Sequence, residues 1–266
     1  MSMTSIRLHR EGALGRLLID RPDKRNAMNR AMWRRLEALA DEASADRSLR
    51  AITLESAAPG CFSAGADIAE FEAGYASAEA TAATNGDIQG AITALARCSQ
   101  PCLAVIDGVC VGGGVALVLA CDFRIASERS SFAVTPARLG LSYHRDNVRR
   151  LVGAIGRSGA AELLYTGQRW TSERALGAGL IDQVVPVDGL GAVIDERIAA
   201  ICANSATANT ALKRALRSIE TPEAQAIEAV DEEFERLFAS PDFIEGRNAF
   251  LDKRAARFPS HRTARS

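Results

Sequence analysis

The sequence predicts an α/β fold with a helical C-terminal region. Short β-type runs alternate with segments of helical period up to about residue 190, and strand signals stop after that point. Composition agrees: the 266 residues are 47% hydrophobic and 24% charged, enough to bury a sizeable core beneath a polar surface. The chain divides on this reading into an α/β core over residues 1–190 and a helical region over residues 191–266.

Each element has a local reason. Ser5 to His9 and Leu14 to Ile19 read as strands broken by Glu11-Gly12. Asp20-Arg21-Pro22-Asp23 carries turn chemistry. From Met28 to Ala45, Met28, Met32, Leu36, Leu39 and Ala40 recur at helical spacing, and Arg34, Arg35, Glu37 and Asp41 fill the other face. Ala51 to Leu54 is a strand, followed by a loop rich in Gly and Ala from Ala57 to Ala66. Glu72 to Gly86 is small and polar and is expected to form a mobile loop or weak helix. Ile88 to Cys98 reads as a helix and Leu103 to Ile106 as a buried strand. Gly112-Gly113-Gly114 opens a helix running through Leu119, and Phe123 to Ala126 is again a strand. Past residue 190, Val193–Cys202, Thr207–Ser218, Pro222–Phe238 and Asp242–Arg254 all read as helices.

The formal net charge of −1 gives no reason to expect nucleic acid or an anionic membrane as a partner. Lys253, Arg254, Arg257, His261, Arg262 and Arg265 make the C-terminal end locally basic, which reads as a solvated tail or as a contact for an anionic ligand such as a phosphate. Six cysteines, Cys61, Cys98, Cys102, Cys110, Cys121 and Cys202, form no C-x-x-C pair and read as reduced, buried small hydrophobes of a cytoplasmic protein. His9, His144 and His261 have no ligand spacing to a cysteine pair, so no metal site is expected. The N-terminus lacks a signal peptide's apolar run, and no run of apolar residues is long enough for a membrane span.

Two segments could carry chemistry. Phe62-Ser63-Ala64-Gly65-Ala66-Asp67-Ile68 places small residues in a loop after a strand, where a ligand can approach the backbone; taken alone it is better explained as a structural turn. Asp107-Gly108-Val109-Cys110-Val111-Gly112-Gly113-Gly114 ends at a helix N-terminus, whose free N–H groups and dipole favour negative charge. It has neither the Walker spacing nor the dinucleotide G-x-G-x-x-G spacing, and close helix packing would also account for three glycines.

Taken together the two segments are specific, and the chain resembles the enoyl-CoA hydratase/isomerase (crotonase) family over nearly its whole length. Ser63 to Asp67 is similar to that family's A-G-x-D loop, and Gly112 to Gly114 to its second glycine turn. Arg21-Pro22-Asp23-Lys24-Arg25-Asn26-Ala27-Met28-Asn29 resembles its early motif. Ala175 to Asp182 with Val184-Val185-Pro186, and Glu245-Gly246 through Arg254, resemble its middle and tail. The resemblance implies a crotonase-like spiral of ββα units with a C-terminal helical region that builds homotrimers or homohexamers. It implies an acyl-CoA thioester as ligand and no cofactor beyond the CoA that the substrate carries. It also implies two backbone donors for the thioester oxygen, the N–H groups of Ala66 and Gly113. For CoA it implies contacts at Lys24, Arg25 and Ala27 and around Ala64, Asp67 and Ile68. Lys253 and Phe258 would reach the nucleotide of a neighbouring subunit.

The sequence departs from the family where hydratases carry their two catalytic glutamates: Ala116 and Pro136 stand at those positions, and neither can move a proton. Thr135-Pro136-Ala137-Arg138-Leu139-Gly140-Leu141-Ser142-Tyr143 resembles the methylmalonyl-CoA decarboxylase branch, where the tyrosine lies beside the substrate carboxylate. That branch, however, has a histidine in place of Ala66 and a glutamate in place of Ala116. His144 carries an imidazole, a side chain that could serve as acid or base; Asp146 could orient it or act alone, or the segment is a polar turn before a helix from Val148. Three functions stay open: a hydratase or isomerase in which Tyr143 or His144 supplies the missing group, a decarboxylase of a malonyl-type thioester, and a non-catalytic acyl-CoA binding protein.

Overall fold

The computed structural model describes residues 5–220 and 224–261. β1 (Ile6–Glu11) and β2 (Leu14–Ile19) form a hairpin, and α1 (Arg30–Ala45) leads to β3 (Ala51–Ser56). From β3 onward one plan recurs: a strand of a first sheet turns into a three-residue strand of a second sheet, and helical chain follows. The first unit is β3, β4 (Cys61–Ser63), α2 (Phe71–Gly74) and α3 (Ala78–Arg97). The second is β5 (Cys102–Ile106), β6 (Val109–Val111) and α4 (Gly113–Val118). The third is β7 (Phe123–Ser127), β8 (Ser131–Ala133) and α5 (Arg145–Thr166). β9 (Trp170–Thr171), α6 (Ser172–Ala178) and β10 (Gln183–Val185) close the core. α7 (Leu190–Ala203), α8 (Ala206–Glu220), α9 (Ala224–Leu237) and α10 (Pro241–Leu251) complete the described chain.

The six-stranded sheet has the order β1-β2-β3-β5-β7-β10, parallel from β2 onward. The four-stranded sheet has the order β4-β6-β8-β9, with β4, β6 and β8 parallel. Successive units therefore stack as turns of a spiral, one strand spacing apart, about 4.8 Å.

Strand alternation divides the core between the faces of the larger sheet. Cys102, Ala104 and Ile106 face the main cluster with Trp33, Leu36, Ile92, Leu95, Phe62 and Phe132. Leu103 and Val105 face the opposite way, against Leu190, Ile194 and Ile198 of α7. A buried ion pair ties α8 to the sheet: Lys213 Nζ lies 2.7 Å from Asp122 Oδ2 and donates to the Gln100 carbonyl at 2.9 Å. Cys98, Cys102, Cys110 and Cys121 are buried free thiols, whereas Cys61 and Cys202 are partly exposed.

The helical alternative for Glu72–Gly86 holds, and the reading of the segment before α5 needs correction. The Glu72–Gly86 segment is helical over most of its length, since α3 begins at Ala78 under a Ser77 cap, whose Oγ accepts the Ala80 N–H at 3.1 Å. Within it Gly74 and Thr84 are buried, the Thr84 hydroxyl donating to the Gly74 carbonyl at 3.0 Å, while most of its alanines are exposed; the buried face of α3 continues beyond it through Ala91, Ile92 and Leu95. Arg145 and Asp146 are the first turn of α5, not a turn before it. The strands of the smaller sheet gave no pattern at all, three residues being too short to show alternation.

Candidate functional site

β4, β6 and β8 run parallel, so the loops that leave them emerge at one end of the small sheet on successive turns of the spiral. Ala66 and Gly113 lie on two of these loops. A parallel bridge with Met28 holds Ala66: the Met28 N–H donates to the Gly65 carbonyl at 2.7 Å, and the Asp67 N–H to the Met28 carbonyl at 2.9 Å. Neither the Ala66 nor the Gly113 N–H finds a hydrogen-bond partner among the described residues.

The glycines serve different ends. Gly65 has φ +91°, and a Cβ there would stand 2.8 Å from the Val111 carbonyl oxygen and 3.0 Å from Gly113 N. Its absence lets the two loops touch. Gly114 packs against Ser63, where a Cβ would meet the carbonyl oxygen at 2.9 Å. A Cβ on Gly113 would meet the Trp33 ring at 3.2 Å and Ala66 N at 3.5 Å. The two N–H groups are therefore close neighbours, with the indole ring as a wall beside them. Trp33 is itself pinned by its Nε1–H, which donates to the Met28 carbonyl at 3.1 Å.

Both groups border a pocket of about 170 Å³. Ile88 and Ile92 of α3 supply apolar wall, and Tyr75, Asn85, Gln89, Tyr143, His144 and Asn147 supply polar groups. Ala116 and Pro136 line it too, and none of its lining residues is Asp or Glu. A larger cleft of about 940 Å³ lies between the α1–β3 loop and α8, with Arg47, Arg50 and Arg214 on its walls, and shares no residue with this pocket.

Asn26 organises the approach to Ala66, and no sequence pattern singled it out. It is 1% exposed, at φ +54°. Its Nδ2 donates to Ser56 Oγ at 2.8 Å and to the carbonyls of Cys61 and Phe62 at 3.0 and 3.1 Å, while its Oδ1 accepts the Arg21 N–H at 2.8 Å. Ser63 Oγ donates to the Asn26 carbonyl at 2.8 Å and accepts the Gly65 N–H at 3.1 Å. Arg21 Nη1 bridges the Ala27 carbonyl and Asp67 Oδ2 at 2.8 and 2.7 Å. Burial opposes ionisation of Asp67, but the bonds from Arg21 and the Ala69 N–H outweigh it and hold the carboxyl below its usual range. Lys24 and Arg25 are exposed; Ala27 and Ala64 are partly exposed, and Ile68 is 60% exposed. The Ala64 N–H donates to the Arg25 carbonyl at 2.9 Å, so these residues share one surface beside the pocket mouth.

Asp107 ties the glycine turn to its neighbours. It accepts Gly60 N–H at 2.8 Å, Ser127 Oγ–H at 2.7 Å and Arg129 Nε–H at 2.7 Å. The Arg129 bonds lead in holding its carboxyl down at about 2, from an ordinary 3.8. Because the folded value is depressed, the stabilisation is complete above pH 3.8 and is lost as pH falls toward 2. With the side chain only 16% exposed, Asp107→Asn is expected to cost about 2 kcal/mol at pH 7 and to flatten the acid limb between those values, as read by urea melts across pH.

Tyr143 and His144 arrive on the segment before α5. The Tyr143 hydroxyl donates to the Gly112 carbonyl at 2.9 Å. His144 caps α5, its Nδ1 accepting the Asp146 N–H at 3.3 Å, which leaves the proton of the neutral ring on Nε2. Asp146 does not line the pocket; its carboxylate stands 3.7 Å from His144 Nδ1. Lys253 (φ +54°) and Phe258 lie at the other end of the chain, away from the pocket lining, and Phe258 stacks edge-on with His261 at 5.5 Å. Of the basic tail, Arg262 and Arg265 lie outside the described residues. No group of His, Cys, Asp and Glu among the described residues could hold a metal, and no described helix is long and apolar enough to cross a membrane.

The profile of the enoyl-CoA hydratase/isomerase family matches residues 9–261. The 2,3-dehydroadipyl-CoA hydratase of Escherichia coli (strain K12) is 30% identical over 258 residues, covering 96% of this chain and 99% of that one. The crystal structure of an enoyl-CoA hydratase/isomerase family protein from Hyphomonas neptunium superposes with a TM-score of 0.92 at 37% identity, covering 96% of this chain and 98% of that one. The enoyl-CoA hydratase of Bacillus anthracis superposes with a TM-score of 0.88 at 28% identity, covering 96% and 99%.

Proposed function

This chain belongs to the enoyl-CoA hydratase/isomerase family, and on that premise we propose that it binds acyl-CoA thioesters and stabilises a thioester enolate between the N–H groups of Ala66 and Gly113. One observation carries the reading: the two groups sit on adjacent turns of the spiral, unpartnered, at one pocket. Forming an enolate moves negative charge onto the thioester oxygen. Preoriented donors meet that charge where it develops, each worth about 3–4 kcal/mol. CoA would lie along the Ala64, Asp67 and Ile68 surface, with Lys24, Arg25 and the Ala27 backbone near its phosphates. Lys253 and Phe258 would come from a neighbouring copy. The buried free thiols fit a reducing compartment such as the cytoplasm.

The pocket lining favours a reaction that needs no carboxylate base. In a malonyl-type thioester the bond between Cα and the carboxylate breaks, CO₂ leaves, and its electron pair enters the enolate held by the two N–H groups. A proton then returns to Cα, and His144 Nε2–H or water can deliver it. An isomerase using His144 alone is the other catalytic reading.

A homotrimer or homohexamer belongs to the same proposal. Leu212, Leu216 and Ile219 of α8 are 61%, 63% and 78% exposed, and Phe234 of α9 is 61% exposed. Apolar surface of this kind calls for a covering copy.

The test is to incubate purified protein with crotonyl-CoA, a 3-enoyl-CoA, a dienoyl-CoA and methylmalonyl-CoA, with product masses and chromatography as readouts and light scattering for mass. Loss of CO₂ or a shifted double bond, with slow hydration, is the expected result, at a multiple of the 28.3 kDa chain. Rapid hydration of crotonyl-CoA would overturn the account of Ala116 and Pro136. Binding of every thioester without turnover would leave an acyl-CoA binding protein.

A further inference from the structure

The Tyr143 hydroxyl is engaged before any ligand arrives. It donates to the Gly112 carbonyl oxygen at 2.9 Å, and that oxygen also accepts the Ala116 N–H at 3.2 Å. The Gly112 carbonyl and the Gly113 N–H belong to one peptide unit. The unit is planar and trans, so its C=O and N–H point in opposite directions, and whatever holds the oxygen aims the hydrogen.

Gly112 needs such a hold. It sits at φ 53°, ψ −111°, a conformation open to glycine, and nothing lies within 4 Å of where its Cβ would be. The Gly112 N–H is anchored to the Ala133 carbonyl at 2.8 Å, a bond that does not fix ψ, and of the two bonds on the Gly112 oxygen the one from Tyr143, at 2.9 Å, is shorter than the 3.2 Å bond from Ala116. The Tyr143 ring packs against the main core cluster, so its hydroxyl is a rigid anchor. A hydrogen bond on the carbonyl side also polarises the amide and strengthens its N–H as a donor. Burial pushes the phenol up, which keeps it a donor.

We propose that Tyr143 is a positioning residue that holds the Gly112–Gly113 peptide with its N–H toward the thioester oxygen, and that it exchanges no proton with the substrate. The proposal rests on the reading of Ala66 and Gly113 as donors to that oxygen. It gives Tyr143 a different task from pairing with a substrate carboxylate, since the hydroxyl has one hydrogen and Gly112 holds it.

The probe is 4-(dimethylamino)cinnamoyl-CoA, whose absorption moves to longer wavelength when its thioester carbonyl is polarised. The native protein is expected to shift it. Tyr143→Phe leaves the Gly112 oxygen bonded to Ala116 and keeps the ring, so the variant is expected to fold, with thermal melting as the check. It should bind the probe within about threefold of native affinity yet lose at least half the shift, because a well-aimed donor contributes more to polarising the carbonyl than to ground-state binding, and a misaimed one loses that contribution. With whichever thioester turns over, kcat should fall about tenfold at similar KM, and the pH profile should keep its shape. Gly112→Ala leaves Tyr143 in place and should lose the shift as well, since an L-residue strains this φ and turns the peptide over.

A full shift in both variants overturns the proposal, and so does loss of a limb from the pH profile in Tyr143→Phe, which would make Tyr143 a proton carrier. A native protein that binds the probe with no shift overturns the donor reading of Ala66 and Gly113 itself.

Discussion

Gly108→Ala is expected to destabilise the fold by at least about 3 kcal/mol, since overpacking and a left-handed backbone add. Gly108 has φ +82°, and a Cβ there would fall 1.9 Å from the Gly60 carbonyl oxygen and 2.2 Å from its carbon. These are backbone atoms of the turn one spiral unit earlier, so no side-chain rotation relieves the overlap. The turn is held from several sides: the Gly108 N–H donates to Ser130 Oγ at 3.1 Å, and the Gly108 carbonyl accepts the Ser131 N–H at 3.1 Å. Gly60→Ala is the control. Its φ is also positive, at +86°, but nothing lies within 4 Å of the added carbon. It should cost only the conformational term, about 1–2 kcal/mol. Urea melts of the two variants separate the effects, and equal losses would mean that the steric account of Gly108 is wrong.

Asn26→Asp is the second large effect. Nearly isosteric, it turns the Nδ2 donor into an oxygen facing Ser56 Oγ and the carbonyls of Cys61 and Phe62. At a site 1% exposed, an ionised carboxylate there is unpaired and repelled. The expected loss at pH 7 is at least about 3 kcal/mol. The new carboxyl would escape part of this by staying protonated, so its folded pKa lies above the unfolded value. The variant should then be best preserved, relative to the native protein, below about pH 4 and lose ground as pH rises. A difference from native that does not grow with pH would show that the carboxylate is solvated there. Because the same bonds hold the chain leading into Ala66, the folded fraction should also lose thioester turnover.

Much of this was legible in the sequence because the signals were local and strong. Leu103 to Ile106 reads as a buried strand from four consecutive apolar residues. α1 reads as a helix from the spacing of Met32, Leu36, Leu39 and Ala40. The glycine run was legible as a site or as packing; Gly114 abuts Ser63, as packing requires, and Gly113 borders the pocket. What stayed hidden depends on partners far along the chain. β4, β6 and β8 exist because they pair with one another, which no three-residue window reveals. Asn26 looks like any turn asparagine until the carbonyls 35 and 36 residues later close on its amide. Tyr143 carries a side chain suited to proton transfer, and only the position of the Gly112 oxygen 31 residues earlier shows how that hydroxyl is spent.

The stacking of β4, β6 and β8 divides labour within the pocket in a way that bears on how such a protein changes over generations. The groups proposed to grip the thioester are main-chain atoms at the ends of β4 and β6, set by the strand register and, at Gly113, by the Tyr143 bond to the Gly112 oxygen. The groups that would move protons are side chains at positions such as 116, 136 and 144, on the chain that follows β6 and β8. Exchanging one of those leaves the strand register untouched, so the grip on the thioester survives when the chemistry is rewritten. A chain with Ala116 and Pro136 in that lining can therefore be a site open to a new reaction rather than a decayed copy of an old one.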